Sequence, residues 1–149
     1  MRMLDDLKPG DRYSGGPLTL SEPDLLDFAG RFDPQPFHLD PVAARDSVFG
    51  GLAASGWHTA ALTMRMIVEG ETKLAGGFIG VTVEELSWPQ ATRPGDTLRI
   101  ESEVLEVRPS TKRPDRGTVR IRTLTFNQKD EVVQRMTAVL LVPRRSMPK

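Results

Sequence analysis

The sequence predicts an α+β fold in which an antiparallel sheet wraps around one long apolar helix. Two observations support this prediction. Residues 52–68 form an apolar stretch broken mainly by small residues, which is typical of a buried helix. Segments rich in Val, Ile, Thr and Leu with two-residue alternation then follow, and we expect them to be strands of an antiparallel meander: 78–88, 97–107, 117–126 and 131–142.

Length, charge and cysteine content restrict the class of protein. The 149 residues suit a single domain, residues 1–149, with a sizeable core. Twenty basic and twenty acidic residues cancel, so charge does not favour nucleic acid or an anionic membrane as a partner. The absence of cysteine excludes disulfides and a thiol nucleophile. No apolar run approaches the ~20 residues of a membrane span, and we therefore expect a cytoplasmic protein.

The N-terminal third carries one strand signal and two helix starts. A short strand is predicted over 12–20, although glycines and a proline interrupt it. Ser21, with a proline in the following turn, predicts a helix that ends before Asp33. Asp40, followed directly by proline, predicts a second helix that continues to about Asp46.

The strand segments contain two irregularities. Their alternation slips near Ser102 and again near Thr123. Because a β-bulge shifts alternation by one residue and bends the strand, we expect bulges at these points. Such bulges would add the curvature that a sheet needs to wrap a helix.

A stiff segment, Asp-Pro-Gln-Pro-Phe-His-Leu-Asp at 33–40, precedes the apolar helix and places an acid and a histidine close together in the chain. Each of its two prolines restricts the residue before it to extended conformations. Fully extended, the Cα atoms of Asp33 and His38 would lie about 16 Å apart, too far to share a water. A bend between them is therefore required if they act together.

This segment resembles the signature of the MaoC-like acyl dehydratases, the R-specific enoyl-CoA hydratases, whose motif is Asp-x-Asn-Pro-x-His. The likeness extends over most of residues 20–65. It implies the hot-dog fold, with Asp33 and His38 as the acid/base pair that activates water. It also implies that the backbone N–H of Gly51 donates to the thioester oxygen. The usual Asn of the family is Gln35 here, which bears on how the loop is hydrogen-bonded.

The predicted activity is a hydro-lyase that adds water reversibly to a trans-2-enoyl thioester, giving the 3-hydroxyacyl thioester. Gly50 and Gly51 are expected to open the long helix, where unpaired N–H groups and the helix dipole stabilise a developing oxyanion and no side chain blocks the substrate. The substrate carries its own coenzyme A or phosphopantetheine, so no separate cofactor is expected. No metal site is expected either, because two histidines and scattered carboxylates offer no ligand cluster.

Other side chains have both a functional and a structural interpretation. In the basic turn 108–116, Lys112 and Arg113 are candidates for binding the phosphates of the carrier, and a solvated loop is the alternative. His58 is expected to be a hydrogen-bonded core residue. Trp57 and Trp88 are expected in the core or an interface, with lining of the acyl pocket as the alternative. Edge strands and one uncovered sheet face predict a homodimer.

Several alternatives remain open at this point. Asp33 is also compatible with an ordinary turn before proline, and the glycine pair with a tight helix entry. Two other functions fit the fold: a hot-dog acyl-CoA thioesterase, and a non-catalytic subunit that binds an acyl thioester.

Overall fold

The computed structural model describes residues 1–145. In chain order its elements are a 3₁₀ turn (Leu4–Asp6), strand β1 (Arg12–Thr19), helices α1 (Glu22–Phe32), α2 (Pro36–Leu39), α3 (Pro41–Arg45) and α4 (Gly56–Glu69), and strands β2 (Ile79–Ser87), β3 (Thr97–Pro109), β4 (Arg116–Phe126) and β5 (Val132–Pro143). The strands form one antiparallel sheet, and α4 packs against it. This is the predicted α+β hot-dog fold. Within the described residues, no helix combines the length and hydropathy needed to cross a membrane.

Oxygen-bearing side chains cap three of the helices. Ser21 accepts a hydrogen bond from the Asp24 N–H at 3.3 Å, as predicted for the start of α1. Asp40 accepts from the Val42 N–H at 2.9 Å at the start of α3, also as predicted. Ser55 caps α4 in the same way. These local bonds satisfy N–H groups that have no partner inside the helix.

The start of α4 differs from the prediction. The helix begins at Gly56, because residues 52–55 are held outside it by bonds to distant segments. The Ala53 N–H donates to the Phe37 carbonyl at 3.2 Å, and the Ala54 N–H donates to the Thr92 carbonyl at 2.8 Å. The prediction that Gly50 and Gly51 open this helix is therefore wrong, and both lie in the loop before it.

The strand order is β1-β3-β4-β5-β2. Strands β3, β4 and β5 form the predicted meander, but β2 pairs with β5 and not with β3. The reason is that β1 occupies the other side of β3. The connection 88–96 therefore carries the chain from the edge strand β2 across the sheet to β3, which lies next to the opposite edge strand β1.

Bulges do occur in the two predicted strand pairs, but a few residues beyond the predicted positions. The register of β3 shifts between Val104 and Glu106, and that of β4 near Thr125. Ser102 and Thr123 lie directly opposite each other, both buried, with their hydroxyl oxygens 2.8 Å apart. Polar residues on the inner face thus interrupt the hydrophobic alternation without any change in register.

One face of α4 is buried and another is not. Met66 and Ile67 pack against the sheet, with Leu98, Ile100 and Val133. The opposite face is an exposed apolar stripe of Trp57, Ala61, Met64 and Val68. The expectation of a helix buried on every face is therefore wrong for an isolated protomer.

Candidate active site

Two short elements bring Asp33 and His38 together. Asp33 caps the C-terminal end of α1, and His38 lies in the single helical turn α2. This turn supplies the bend that the sequence requires, because it folds the chain back between the two residues. As a result His38 Nε2 lies 3.3 Å from Asp33 Oδ2.

The imidazole of His38 is fixed in position and in tautomer. Its side chain is buried, and the Phe37 ring packs edge-on against it at 4.5 Å between centroids. His38 Nδ1 lies 2.7 Å from the carbonyl oxygen of Ala53. Since a carbonyl oxygen only accepts, Nδ1 is the donor in this bond. The nitrogen that faces Asp33 is therefore Nε2, which is free to exchange protons.

The Asp33 carboxylate is held by donors on both oxygens. Gln35 Nε2 donates to Oδ1, and Ser55 Oγ donates to Oδ2 at 2.7 Å. Burial raises the pKa of Asp33, but the hydrogen bonds from Gln35 and Ser55, together with the attraction of His38, outweigh it and leave the pKa below its ordinary value. Asp33 is thus a carboxylate at neutral pH. Gln35 still contacts the acid, although the related motif has Asn there.

Ser55 is a site residue that sequence reasoning missed. Its Oγ accepts from the Trp57 N–H at 3.3 Å and donates to Asp33, so it joins the start of α4 to the carboxylate. The signal was present, because a serine directly before a helical run is typical of an N-cap.

The first residue of α4, Gly56, lies in the same region. Within residues 1–145 no acceptor bonds to the Gly56 N–H. A cavity of about 250 Å³ lies beside it, lined among others by His38, Gly56, Thr59 and Trp88. A Cβ atom on Gly56 would lie only 2.6 Å from the Trp88 ring, so a side chain there would displace the indole. The structure therefore places an unpaired donor and the positive end of a helix at the cavity wall.

Unlike Gly56, the two glycines Gly50 and Gly51 lie outside the cavity lining. Phe49 lines the cavity, whereas the two glycines do not. Arg93, which sequence reasoning also missed, donates to the carbonyl oxygens of Phe49, Gly51 and Leu52 at 2.6, 3.0 and 3.2 Å. Gly50 adopts a φ of +65°, which favours glycine. These glycines thus belong to a loop that Arg93 clamps beside the site.

The basic turn lies far from the site within one protomer. Lys112 and Arg113 are exposed in the β3–β4 connection, where their N–H groups bond to Ser110 Oγ. The site lies at the other end of β3, about 40 Å away at ~3.3 Å per residue over this strand. Within one protomer these residues thus lie apart from the Asp33–His38 pair, and their contact with the phosphates of the carrier stays a prediction.

The remaining aromatic candidates divide between core and surface. His58 is buried and stacks on Phe28 at 4.4 Å between centroids, as expected of a core residue. Within residues 1–145, however, its Nδ1 has no hydrogen-bond partner, so the expected hydrogen bond is missing there. Trp57 is 60% exposed and is not a core residue, whereas Trp88 lines the cavity. No group of three potential metal-ligating side chains occurs in the described part of the chain.

Comparison with known proteins places this geometry among related structures. A family model described as MaoC like domain matches residues 7–125. The MaoC-like dehydratase of Rhodospirillum rubrum is 53% identical, with a TM-score of 0.95 over 99% of this chain and 100% of that chain. The R-hydratase PhaJ1 of Pseudomonas aeruginosa is 28% identical, with a TM-score of 0.72 over 96% of this chain and 86% of that chain. The protein YdeM of Bacillus subtilis is 30% identical over 145 residues, which are 95% of this chain and 99% of that protein.

Proposed function

We propose that this chain, which belongs to the MaoC-like domain family, adds water reversibly to a trans-2-enoyl thioester and so forms the 3-hydroxyacyl thioester. The family and its matched relatives, a dehydratase and an R-hydratase, support an enzyme of the hydro-lyase kind. The observation that carries the proposal is the 3.3 Å approach of His38 Nε2 to Asp33 Oδ2 beside the first turn of α4.

The two side chains have separate roles in proton transfer. Asp33, kept ionised by its hydrogen-bond donors, accepts a proton from the water as the water oxygen bonds to C3 of the substrate. His38 acts in this step as an imidazolium: its Nδ1 proton stays hydrogen-bonded to the Ala53 carbonyl, and its Nε2 proton is donated to C2. Transfer of the proton from Asp33 to Nε2 restores both groups. Acid/base catalysis of this kind contributes about 10²–10⁴ in rate.

The Gly56 N–H is the proposed donor to the thioester oxygen, in place of Gly51. Negative charge develops on this oxygen as water adds, and the Gly56 N–H lies at the positive end of a 14-residue helix. A donor directed at such an oxyanion contributes about 10²–10³ in rate. The lack of a side chain at Gly56 leaves this amide open to the substrate.

A homodimer formed through β2 is the proposed assembly. Within residues 1–145 no strand lies on the outer side of β2, and Val81 and Val83 on this strand are 59% and 55% exposed. The exposed stripe of α4 lies nearby, since Met64 and both valines line the same apolar groove. Antiparallel pairing of two β2 strands would satisfy the edge and cover these side chains.

Such a dimer gives the basic turn a function that one protomer does not allow. β2 runs from the sheet end that carries the β3–β4 connection to the end that carries Trp88. Antiparallel pairing reverses the partner and brings its basic turn to the same end as the active site. We therefore assign Lys112 and Arg113, acting across the dimer, to the phosphates of coenzyme A or of an acyl-carrier phosphopantetheine.

The direct test of the function uses crotonyl-CoA. Loss of the enoyl absorbance without free thiol is the expected result. Release of thiol would instead indicate the thioesterase, and binding without either change would indicate the non-catalytic subunit. Asp33→Asn and His38→Ala should each lower kcat by about 10²–10⁴, whereas Asp46→Asn, at an exposed carboxylate outside the site, should not. Full activity in both site variants would refute the assignment.

A further inference from the structure

A buried amide lies behind the wall of the active-site cavity. Gln134, on β5, is fully buried, and its Oε1 accepts a 3.0 Å hydrogen bond from the indole Nε1 of Trp88. Its Nε2 has no hydrogen-bond partner within residues 1–145. A buried donor without a partner lowers stability. Folding alone therefore gives no reason for glutamine at this position in the sheet core.

Trp88 is the residue that this amide holds. It follows the last residue of the edge strand β2 and is 38% exposed, so the strand itself does not fix its ring. The ring nevertheless packs closely on the first residue of α4, since a Cβ on Gly56 would lie 2.6–2.8 Å from three of its atoms. Trp57, exposed beside it, contacts the ring edge-on at 5.5 Å between centroids. The bond to Gln134 is the polar contact that orients the indole.

We propose that Gln134 is a positioning residue that anchors Trp88 over the start of α4. The anchored indole forms the cavity wall beside the Gly56 N–H and thereby determines where the thioester group sits. This inference rests on the proposed function, because it assigns the cavity to a thioester. It adds a residue that contacts no substrate itself and acts through the tryptophan.

The chain offers a direct spectroscopic test, since Trp57 and Trp88 are its only tryptophans. In a Trp57→Phe background, fluorescence reports Trp88 alone. Adding Gln134→Leu should shift the Trp88 emission and increase its quenching by acrylamide, because the indole loses its anchor. The same variant should unfold at an equal or higher temperature, because the unpaired Nε2 is removed. It should lower kcat by about tenfold with KM changed less than about twofold.

Thr125→Val is the matched control. Thr125 lies opposite Gln134 in the sheet and is fully buried. Its replacement by valine removes the 2.6 Å hydrogen bond between the Thr125 and Thr63 hydroxyls. This variant should change the unfolding temperature but leave Trp88 emission and kcat unchanged. Trp88→Phe, which keeps an aromatic ring and removes the N–H, should reproduce the kcat loss of Gln134→Leu. The double variant should lose no more than either single one.

The results separate this inference from the proposed function. Unchanged emission in Gln134→Leu, or additive losses in the double variant, would overturn the anchoring role. If the wild-type protein fails to hydrate crotonyl-CoA but Gln134→Leu still shifts the Trp88 emission, the proposed function is wrong and the anchoring role of Gln134 is supported. If the wild-type protein hydrates crotonyl-CoA and the Trp88 emission does not change in Gln134→Leu, the proposed function is supported and the anchoring role is wrong.

Discussion

Ser55 donates a 2.7 Å hydrogen bond to the same oxygen of Asp33 that faces His38. It also accepts the N–H of Trp57 as the N-cap of α4. One hydroxyl thus connects the acid to the helix that presents the Gly56 N–H. The geometry of the proposed proton-transfer pair and that of the proposed thioester donor are therefore coupled through a single side chain.

Replacing Ser55 with alanine should alter both the pH dependence and the stability. Asp33 loses a donor to its ionised form, so its pKa should rise, and the acid limb of the kcat/KM profile should move to higher pH. Loss of the cap should lower the free energy of unfolding by about 1 kcal/mol. A carboxyl whose pKa is lower in the folded than in the unfolded protein contributes stability above the unfolded pKa, and this stability is lost as the pH falls through the folded pKa. Because the folded pKa of Asp33 is lowered less in the variant, the variant should lose less stability over this pH range.

Ser21→Ala is the control for this prediction. Ser21 caps α1 with the same type of bond, to the Asp24 N–H at 3.3 Å, and does not contact Asp33. It should lower stability by a similar amount without moving the pH profile. An unshifted acid limb in Ser55→Ala would show that the hydroxyl does not support the carboxylate.

A pair of glycine variants distinguishes the two candidates for the thioester donor. Gly56→Ala places a methyl group 2.6 Å from the Trp88 ring and should lower kcat by about tenfold or more, because the ring and the cavity wall must move. Gly51→Ala meets Arg93 at 3.6 Å, an ordinary contact, and should keep near wild-type kinetics. The opposite pattern would support the sequence-based assignment of Gly51.

The proposed dimer depends on the exposed valines of the β2 edge. The wild-type protein should be a dimer by light scattering, and Val83→Lys should shift it toward monomer, because a charge on an exposed edge strand opposes pairing. Val42→Lys, at a valine that is 65% exposed on α3, should leave the dimer intact. A monomeric wild type would refute both the dimer and the assignment of Lys112 and Arg113 across it.

His58 should make the protein less stable in mild acid. Burial lowers its pKa and outweighs the opposing effect of Asp24 and Asp27, which line a shared cavity together with Arg31. As the pH falls below about 6.5, the unfolded chain binds a proton at this histidine that the folded chain does not, so stability falls until the pH reaches the folded pKa. His58→Leu should remove this part of the loss. Urea unfolding at pH 7.5 and pH 5 measures it, and an identical change in both proteins would contradict the prediction.

Much of the molecule was predictable from short-range signals. Ser21 and Asp40 cap helices where expected. The prolines on either side of Gln35 predict a conformationally restricted segment there. The resemblance implied the pairing of Asp33 with His38, and the spacing required a bend between them, which α2 supplies. The sequence predicts these features because helix caps, prolines and hydrophobic alternation act on residues that are close together in the chain.

Contacts between distant segments decided the rest. The carbonyls of Phe37 and Thr92 hold residues 52–55 outside α4, and the proposed thioester donor is for this reason Gly56 and not Gly51. The hydrogen bond from Trp88 to Gln134 joins residues 46 positions apart in the chain, and no local sequence pattern predicts it. Likewise, β2 pairs with β5 because β1 already occupies the far side of β3. Local preferences fix which elements form, but the partner of a given N–H or side chain depends on which remote segment the fold brings beside it.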